Sequence, residues 1–392
     1  MSGVTVTAGF LALVDSAPLV IARELGFAEE EGITLDLRRA PSWSTLRDML
    51  ALGQIEAAHM LAPLPIAMAL GLGGMTTRID AISVLSVNGQ VIGVSRELAA
   101  KMRADGFPFD FTDATLAGKA LIAASDGALR VGVPFPFSTH AELLYYWLSA
   151  LGLPAPQGVE IKTVPPALMA EAMANGEIDA FCVGEPWGSI AVENGVGELL
   201  LPGCAIWGFA PEKVLAVRHD WAEAEADITG RLLRAVWRAG RWLGDRSNLT
   251  TASEILARPE YVNVPAEVVD RALTGRLVIS QSGEQRNVPE FLEFHAGAAN
   301  FPWKSQAAWI GAQLAARTGL DRASAAATAK GVFRTDLYRR HLRATGADLP
   351  GASEKLEGAV QQKSPAASES GKLFLMRDAF FDGRIFDPDA TN

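Results

Sequence analysis

The residues best suited to hold a small anion stand beside the ends of apolar segments. Residues 133–148 (VPFPFSTHAELLYYWL) contain two prolines that exclude helix, followed by Ser138 and Thr139, either of which can begin a helix. His140 then falls in the first helical turn, where free backbone N–H groups and the helix dipole favour an anion. Taken alone, the stretch is equally consistent with a histidine that only caps the helix or packs against its neighbours.

Five further residues share this placement, directly after predicted strands or where the chain would cross between two lobes. The candidate ligand-binding residues are Trp43, Gln90, His140, Pro166, Gly184 and Lys213. Ligands of α/β proteins bind beyond the carboxyl ends of strands. Because this set consists mainly of hydrogen-bond donors, it predicts a pocket poor in acceptors that fits a planar oxyanion without a proton, with Lys213 balancing its charge. Glu185 would repel such a ligand, so we expect it to pair with a neighbouring cation or donor.

Each candidate also has an ordinary structural interpretation. Trp43 alone is consistent with a packing residue, Gln90 alone with a turn residue, and Lys213 alone with a solvated charge at a strand edge. A thiolate–imidazole pair of Cys182 and His140 is a weaker alternative, because Cys182 lies in an apolar run and no acid is placed to orient the histidine. The remaining histidines lack metal-ligand spacing, so no metal and no cofactor are expected.

The elements that position these residues alternate between strand and helix. Asp15 or Ser16 can cap the first helix, and residues 121–124 read as a strand before the helix of His140. The alternation predicts an α/β fold with parallel sheets. After Lys213 the chain becomes helix-rich, which indicates that one lobe is inserted into another. We predict a discontinuous first lobe of residues 1–87 and 208–392 and an inserted second lobe of residues 88–207.

Two features of the helix-rich part bear on partners. Residues 228–243 form an amphipathic helix with an arginine stripe that is usually just solvated but could dock an acidic protein. Residues 346–371 are rich in Ser, Gly and Ala, which predicts a loose segment, whereas the following FLMRDAFFDGRIFDP is apolar and should dock back onto the protein.

Composition limits the function classes. The 392 residues carry a net charge of -10, which argues against direct binding of nucleic acid over a broad face. Two cysteines without a CxxC pair favour a reducing compartment, although one disulfide between them stays open. No apolar run approaches the roughly 20 residues that span a bilayer. The first residues, MSGVTVTAGFLALVDS, lack a basic leader region and a lipid-anchor cysteine, so we expect a cytoplasmic protein without a membrane partner.

Longer sequence words carry a family resemblance. The words GFLALVDSAPLVIARELGFAEEEG, SWSTLRDMLALGQIEAAHMLAP, FPFSTHAELLYYWL, FCVGEPW, PEKVLAV, RPEYVNVP, NFPW and FFDGRIFDP span residues 9–388. They resemble the nitrate- and bicarbonate-binding solute receptors of ABC transporters, and within them the cytoplasmic nitrate sensors of the NasS type. The resemblance implies a type II periplasmic-binding-protein fold with two lobes, a hinge and a central ligand cleft.

The resemblance also implies a function and its residues. In the nitrate receptors, the ligand contacts correspond to the six candidates above, whereas in the bicarbonate relatives an acidic residue replaces the one corresponding to Lys213. Nitrate or nitrite is therefore the expected ligand. NasS-type sensors hold an ANTAR-type RNA-binding antiterminator, NasT-like, without ligand and release it when ligand binds.

Two alternatives remain. One is the substrate-binding component of an ABC nitrate transporter. The other is an enzyme on the same fold, such as the thiamine-pyrimidine synthases. Those enzymes have a cysteine-rich motif, and the corresponding segment FCVGEP of this chain does not contain it. No enzymatic activity is therefore expected.

Overall fold

The secondary structure comes from a computed structural model that describes residues 4–390. The strands are β1 (Val4–Phe10), β2 (Ile33–Arg39), β3 (Ala57–Leu61), β4 (Ile79–Asn88), β5 (Gln90–Ser95), β6 (Leu129–Val133), β7 (Val159–Thr163), β8 (Ala180–Gly184), β9 (Gly197–Pro202), β10 (Pro211–Arg218), β11 (Arg276–Val278), β12 (Gln285–Asn287), β13 (Leu292–Glu293), β14 (Ser364–Pro365) and β15 (Phe374–Leu375).

The helices are α1 (Ala17–Glu24), α2 (Phe27–Glu30), α3 (Trp43–Ala51), α4 (Pro63–Ala69), α5 (Arg96–Ala104), α6 (Ala114–Ala124), α7 (Thr139–Ala150), α8 (Met169–Ala174), α9 (Trp187–Glu193), α10 (His219–Ala224), α11 (Ala226–Leu243), α12 (Leu249–Leu256), α13 (Ala266–Thr274), α14 (Lys304–Thr318), α15 (Arg322–Val332) and α16 (Thr335–Leu342). No helix among residues 4–390 combines the length and apolar character that crossing a bilayer requires.

Two central sheets form the two lobes. The first has the strand order β13-β4-β10-β3-β1-β2, and the second has the order β7-β6-β8-β5-β9. Every strand of the second sheet comes from the chain between Gln90 and Pro202, whereas the first sheet takes strands from both sides of that stretch. The predicted ends of the first lobe, residues 1–3 and 391–392, lie outside the described residues.

The chain crosses between the sheets at two places. Asn88 and Gly89, with φ angles of 61° and 92°, join β4 directly to β5, and β10 returns the chain to the first sheet. Both crossing strands run against their neighbours: β5 is antiparallel to β8 and β9, and β10 is antiparallel to β3 and β4. The prediction of parallel sheets is therefore wrong for the crossing strands, because order along the sequence does not reveal the direction of a strand that enters from the other lobe.

One local prediction fails beside the helix of His140. Residues 121–124, expected to form a strand, are the last turn of α6, whose N-cap Asp113 accepts a hydrogen bond from the Leu116 N–H. The strand that precedes α7 is β6, five residues further on. A short apolar run of this kind fits a buried helix as well as a strand, because its length does not separate the two periodicities.

The segment 346–371 is not loose. Its strand β14 pairs with β15, and Pro350 forms a bridge with Ser368. Glu357 is fully buried within it, and Lys355 Nζ lies 2.6 Å from Glu357 Oε2 and also contacts Asp378. Composition predicted a loose segment here because it did not show that this ion pair network ties the segment to the protein.

The aromatic residues after this segment do dock back, as expected. The Phe380 ring stacks on Trp207 with centroids 5.0 Å apart and on Trp309 with centroids 5.7 Å apart. Tyr146 of α7 donates a hydrogen bond to Asp382 at 2.8 Å. The apolar end of the chain thus contacts the helix that carries His140.

The arginine stripe of α11 is largely neutralised inside the chain. Arg234 and Arg238 form ion pairs with Glu31 at 2.7 and 2.9 Å, and Arg231 donates to the Glu31 carbonyl at 3.1 Å. Arg241 lies over a tryptophan ring. The hypothesis of an acidic partner on this face therefore loses its basis.

Candidate functional site

Helix α7 presents His140 at its first turn. Ser138 is the N-cap, and its side chain accepts a hydrogen bond from the Ala141 N–H at 3.2 Å. Thr139 Oγ1 donates to the carbonyl of Pro211 at 2.8 Å, which ties the start of α7 to the returning strand β10. His140 is 1% exposed.

Lys213 lies at the centre of the site and is fully buried. Its Nζ is 2.8 Å from Asp15 Oδ2 and 2.6 Å from Glu212 Oε1. It also lies 5.5 Å from the centre of the Trp43 ring. Burial alone lowers the pKa of the Lys213 ammonium, but the Asp15 and Glu212 carboxylates outweigh this effect and raise the pKa above its ordinary value.

Gly184 connects the histidine to this charged centre. A methyl group at Gly184 would lie 3.6 Å from His140 Nε2 and 3.7 Å from Asp15 Oδ2. Gln90 pairs with Gly184 across β5 and β8, and it is fully buried. The structure therefore brings together Trp43, His140, Gly184 and Lys213, and it places Gln90 beside them through the backbone, with its side chain next to Gly203.

Pro166 is the sixth predicted residue. It is buried at the start of a short 3-10 turn beyond β7, the neighbour of the strand that leads to His140. Among the described residues, no hydrogen bond, ion pair or ring contact links Pro166 to the other five. Its role in binding a ligand stays a prediction.

Several buried polar atoms of the site lack a hydrogen-bond partner among the described residues. They are Trp43 Nε1, both ring nitrogens of His140, both side-chain amide atoms of Gln90, His59 Nδ1, Asp15 Oδ2 and Glu212 Oε2. Buried polar groups are nearly always hydrogen-bonded, and leaving one unpaired costs roughly 1–3 kcal/mol. These atoms are therefore suited to contact a small polar ligand.

The prediction of an acceptor-poor pocket is wrong. Asp15 and Glu212 are buried carboxylates beside Lys213, and His59 Nε2 lies 2.9 Å from Asp15 Oδ1. Burial raises the pKa of Asp15, yet the Lys213 and His59 side chains outweigh it and hold that pKa far below its usual range. Burial raises the pKa of Glu212 to about 7 despite Lys213.

The sequence reasoning missed these acidic residues for separate reasons. The sequence offered Asp15 or Ser16 only as a cap of α1; the N-cap residue is Ser16, and Asp15 contacts Lys213. Glu212 and Lys213 are adjacent, and adjacent strand residues normally face opposite ways. Register shifts on both sides of Lys213 break that alternation, so both side chains reach the site. The acidic residue next to Lys213 in PEKVLAV was the available signal.

Two other expectations concern Glu185 and Cys182. Glu185 pairs with a donor, as one of the two expected options: its Oε2 accepts a hydrogen bond from the Ser189 N–H at 3.2 Å. Burial raises its pKa to about 7. Burial, together with Glu212, raises the pKa of Cys182 well above the ordinary value, which removes the thiolate that a nucleophilic pair with His140 would need. Within residues 4–390, no three or more His, Cys, Asp or Glu side chains are arranged so that they could hold a metal ion.

Two lobes around a buried polar site define a solute-binding protein of the periplasmic-binding-protein fold. The chain belongs to the NMT1-like family, whose model matches residues 3–257. It is 31% identical to the nitrate/nitrite binding protein NrtA of Synechococcus elongatus over 98% of this chain and 84% of that protein. It is 26% identical to the bicarbonate-binding protein CmpA of the same species, again over 98% and 84% of the two chains.

Solved structures agree with this assignment. The crystal structure of the periplasmic nitrate-binding protein NrtA from Synechocystis PCC 6803 matches with a TM-score of 0.84 and 28% identity, over 99% of this chain and 96% of that one. The alkanesulfonate-binding protein SsuA from Xanthomonas axonopodis pv. citri, at 18% identity and a TM-score of 0.57 over 82% and 95% of the chains, shares the fold. The predicted fold and family are thus confirmed, and the relatives are binding proteins rather than enzymes. The closer likeness to NasS-type sensors stays a prediction.

Proposed function

We propose that this protein is a receptor for nitrate or nitrite that binds one anion between its lobes. The observation that carries this proposal is a set of unpartnered buried nitrogens, Trp43 Nε1, Gln90 Nε2 and His140 Nε2, together with a buried ammonium; the first two are donors, and His140 Nε2 donates when it carries a proton. A planar mononegative oxyanion can accept a hydrogen bond from each donor and interact with Lys213. The NrtA relatives, which bind nitrate or nitrite by name, support the same ligand class.

The choice of nitrate over bicarbonate rests on Lys213. The family resemblance puts an acidic residue at this position in the bicarbonate receptors, and this chain has an ammonium there. Calorimetry with nitrate, nitrite, bicarbonate and sulfate tests the choice. We expect binding of nitrate or nitrite and none of sulfate; bicarbonate binding as tight as nitrate binding would contradict the assignment.

We further propose that the protein acts in the cytoplasm as a sensor. Without ligand it holds an ANTAR-type RNA-binding antiterminator of the NasT kind, and ligand binding releases that partner. The net charge of -10 suits a protein whose RNA contacts are made by its partner. Anion binding would shift the population toward a closed form with a different partner surface.

A pull-down of the antiterminator with and without nitrate tests the sensor role. We expect nitrate to release the partner and, because coupling is reciprocal, the partner to weaken nitrate binding by the same factor. In His140→Ala, nitrate should no longer release the partner while partner binding persists. An unchanged nitrate affinity in the presence of the antiterminator would contradict allosteric release.

The alternative is the substrate-binding component of an ABC nitrate transporter. The relatives include the nitrate import ATP-binding protein NrtC of Synechococcus elongatus, 33% identical over 90% of this chain and 52% of that protein. The same cleft would serve this role. Nitrate-dependent stimulation of a reconstituted transporter, together with no capture of the antiterminator, would favour it.

A further inference from the structure

Glu212 contacts two of the site's charged or titratable groups through one oxygen. Its Oε1 lies 2.6 Å from Lys213 Nζ and 3.1 Å from His140 Nδ1. Neither ring nitrogen of His140 has an aligned hydrogen bond among the described residues, so the Nδ1 contact with Glu212 is one of distance alone, and Nε2 lies next to Gly184. The two sides of the His140 ring therefore face a carboxyl group and the ligand space.

The number of protons on this pair decides whether His140 can bind an anion. A neutral imidazole has one N–H, and the partner of one nitrogen sets which nitrogen carries it. Beside a carboxylate, the proton belongs on Nδ1, so Nε2 presents a lone pair to the ligand space and repels an anion. If the proton moved to Nε2 instead, the Nδ1 lone pair would face the Glu212 carboxylate at 3.1 Å in a buried site.

We propose that Glu212 is a positioning residue for His140 and that the Glu212–His140 pair takes up one proton when the anion binds. With two protons, one lies between Glu212 Oε1 and Nδ1, and the other lies on Nε2, where it is donated to the anion. The anion thus enters with its own counter-charge, so the net charge of the buried site does not change. This inference rests on the proposed anion-binding function.

The other titratable groups around the pair are less suited to exchange this proton near neutral pH. Asp15 is held as a carboxylate by Lys213 and His59, and burial keeps the pKa of His59 below its ordinary value. The pKa of Cys182 lies well above the ordinary value because of burial. Burial also lowers the pKa of His140 itself, which leaves Glu212, with a pKa of about 7, as the group that gains the proton.

Glu185 provides a matched control. Burial raises its pKa to about 7 as well, but its carboxylate accepts a hydrogen bond from the Ser189 N–H and has no described contact with the His140 ring. Glu185→Gln therefore removes a buried carboxyl group with a similar pKa without touching the proposed proton pair.

The test is nitrate calorimetry on the full chain at pH 8 in Tris and in triethanolamine, whose ionisation enthalpies differ. We expect uptake of about one proton at pH 8, uptake close to zero at pH 5.5, and a fall in affinity of about tenfold per pH unit above the pKa of the pair. Glu212→Gln should lose the proton uptake and the fall of nitrate affinity between pH 7 and 8.5, whatever its absolute affinity. Glu185→Gln should keep the proton uptake and the pH-dependent affinity.

Two results would overturn the proposal while leaving the receptor function standing. One is nitrate binding by the unmodified protein with no proton uptake from pH 6 to 8.5. The other is a Glu212→Gln variant that binds nitrate with the unmodified protein's uptake. An absence of nitrate binding at every pH would instead overturn the receptor function and this inference together.

Discussion

Replacing Lys213 by Met should cost both stability and anion binding, because it leaves two buried carboxylates without their shared cation. Lys213 Nζ lies within 2.8 Å of both Asp15 and Glu212. Removing one partner of a buried ion pair costs about 3–5 kcal/mol. We expect a loss of that size at pH 8, together with loss of detectable nitrate binding.

The pH dependence of this loss has a definite sign. Without Lys213, the folded-state pKa of Glu212 rises further above its unfolded value. The folded state then binds more protons than the unfolded state, so its stability falls as the pH rises between those two pKa values. The deficit of Lys213→Met should therefore be larger at pH 8 than at pH 5.5, where Glu212 is protonated.

Lys355 offers a control with the same local chemistry. Its ammonium contacts the buried carboxylates of Glu357 and Asp378 in the C-terminal segment. Lys355→Met should lose a similar amount of stability in urea unfolding followed by circular dichroism, yet keep its nitrate affinity in calorimetry. The reasoning would be refuted if Lys213→Met were as stable as the unmodified protein at pH 8, or if the two variants lost nitrate affinity equally.

Three further substitutions test separate parts of the site. Trp43→Phe removes one hydrogen-bond donor to the anion. It should weaken nitrate binding about 10- to 100-fold, since a hydrogen bond to a charged group contributes about 1.5–3 kcal/mol. Trp303→Phe changes another buried, unpartnered indole and should leave the nitrate affinity in calorimetry unchanged. Gly184→Ala should abolish nitrate binding, because its methyl group would occupy the ligand space 3.6 Å from His140 Nε2. Gly331→Ala adds a methyl group in open space and should bind nitrate normally. Equal nitrate affinities of the two variants would contradict this placement. Burial raises the pKa of Glu185 to about 7 in the folded state, so its contribution to the free energy of unfolding falls as the pH rises from 4.5 to 7. In urea titrations, Glu185→Gln should remove about 3 kcal/mol of this pH-dependent fall.

Local sequence patterns were sufficient to place two of the candidate ligand-binding residues at the starts of helices. Ser42 and Ser138 cap α3 and α7 through side-chain hydrogen bonds, so Trp43 and His140 stand at helix starts, as their sequence words indicate. The burial of these two residues also follows from apolar neighbours at helical spacing. The strand at residues 121–124 failed because a short apolar run carries too little periodicity to separate helix from strand.

The sequence by itself determined the alternation of elements, the helix starts that hold two site residues, and the family, because these depend on neighbours along the chain. Only the tertiary structure decided the charge of the site. Asp15 reaches Lys213 from a turn before α1, and His59 of β3 contacts Asp15 in turn. The irregular register of β10 brings the adjacent Glu212 to the same place as Lys213. Ionisation in a buried site depends on distances between such groups, and sequence spacing does not encode those distances.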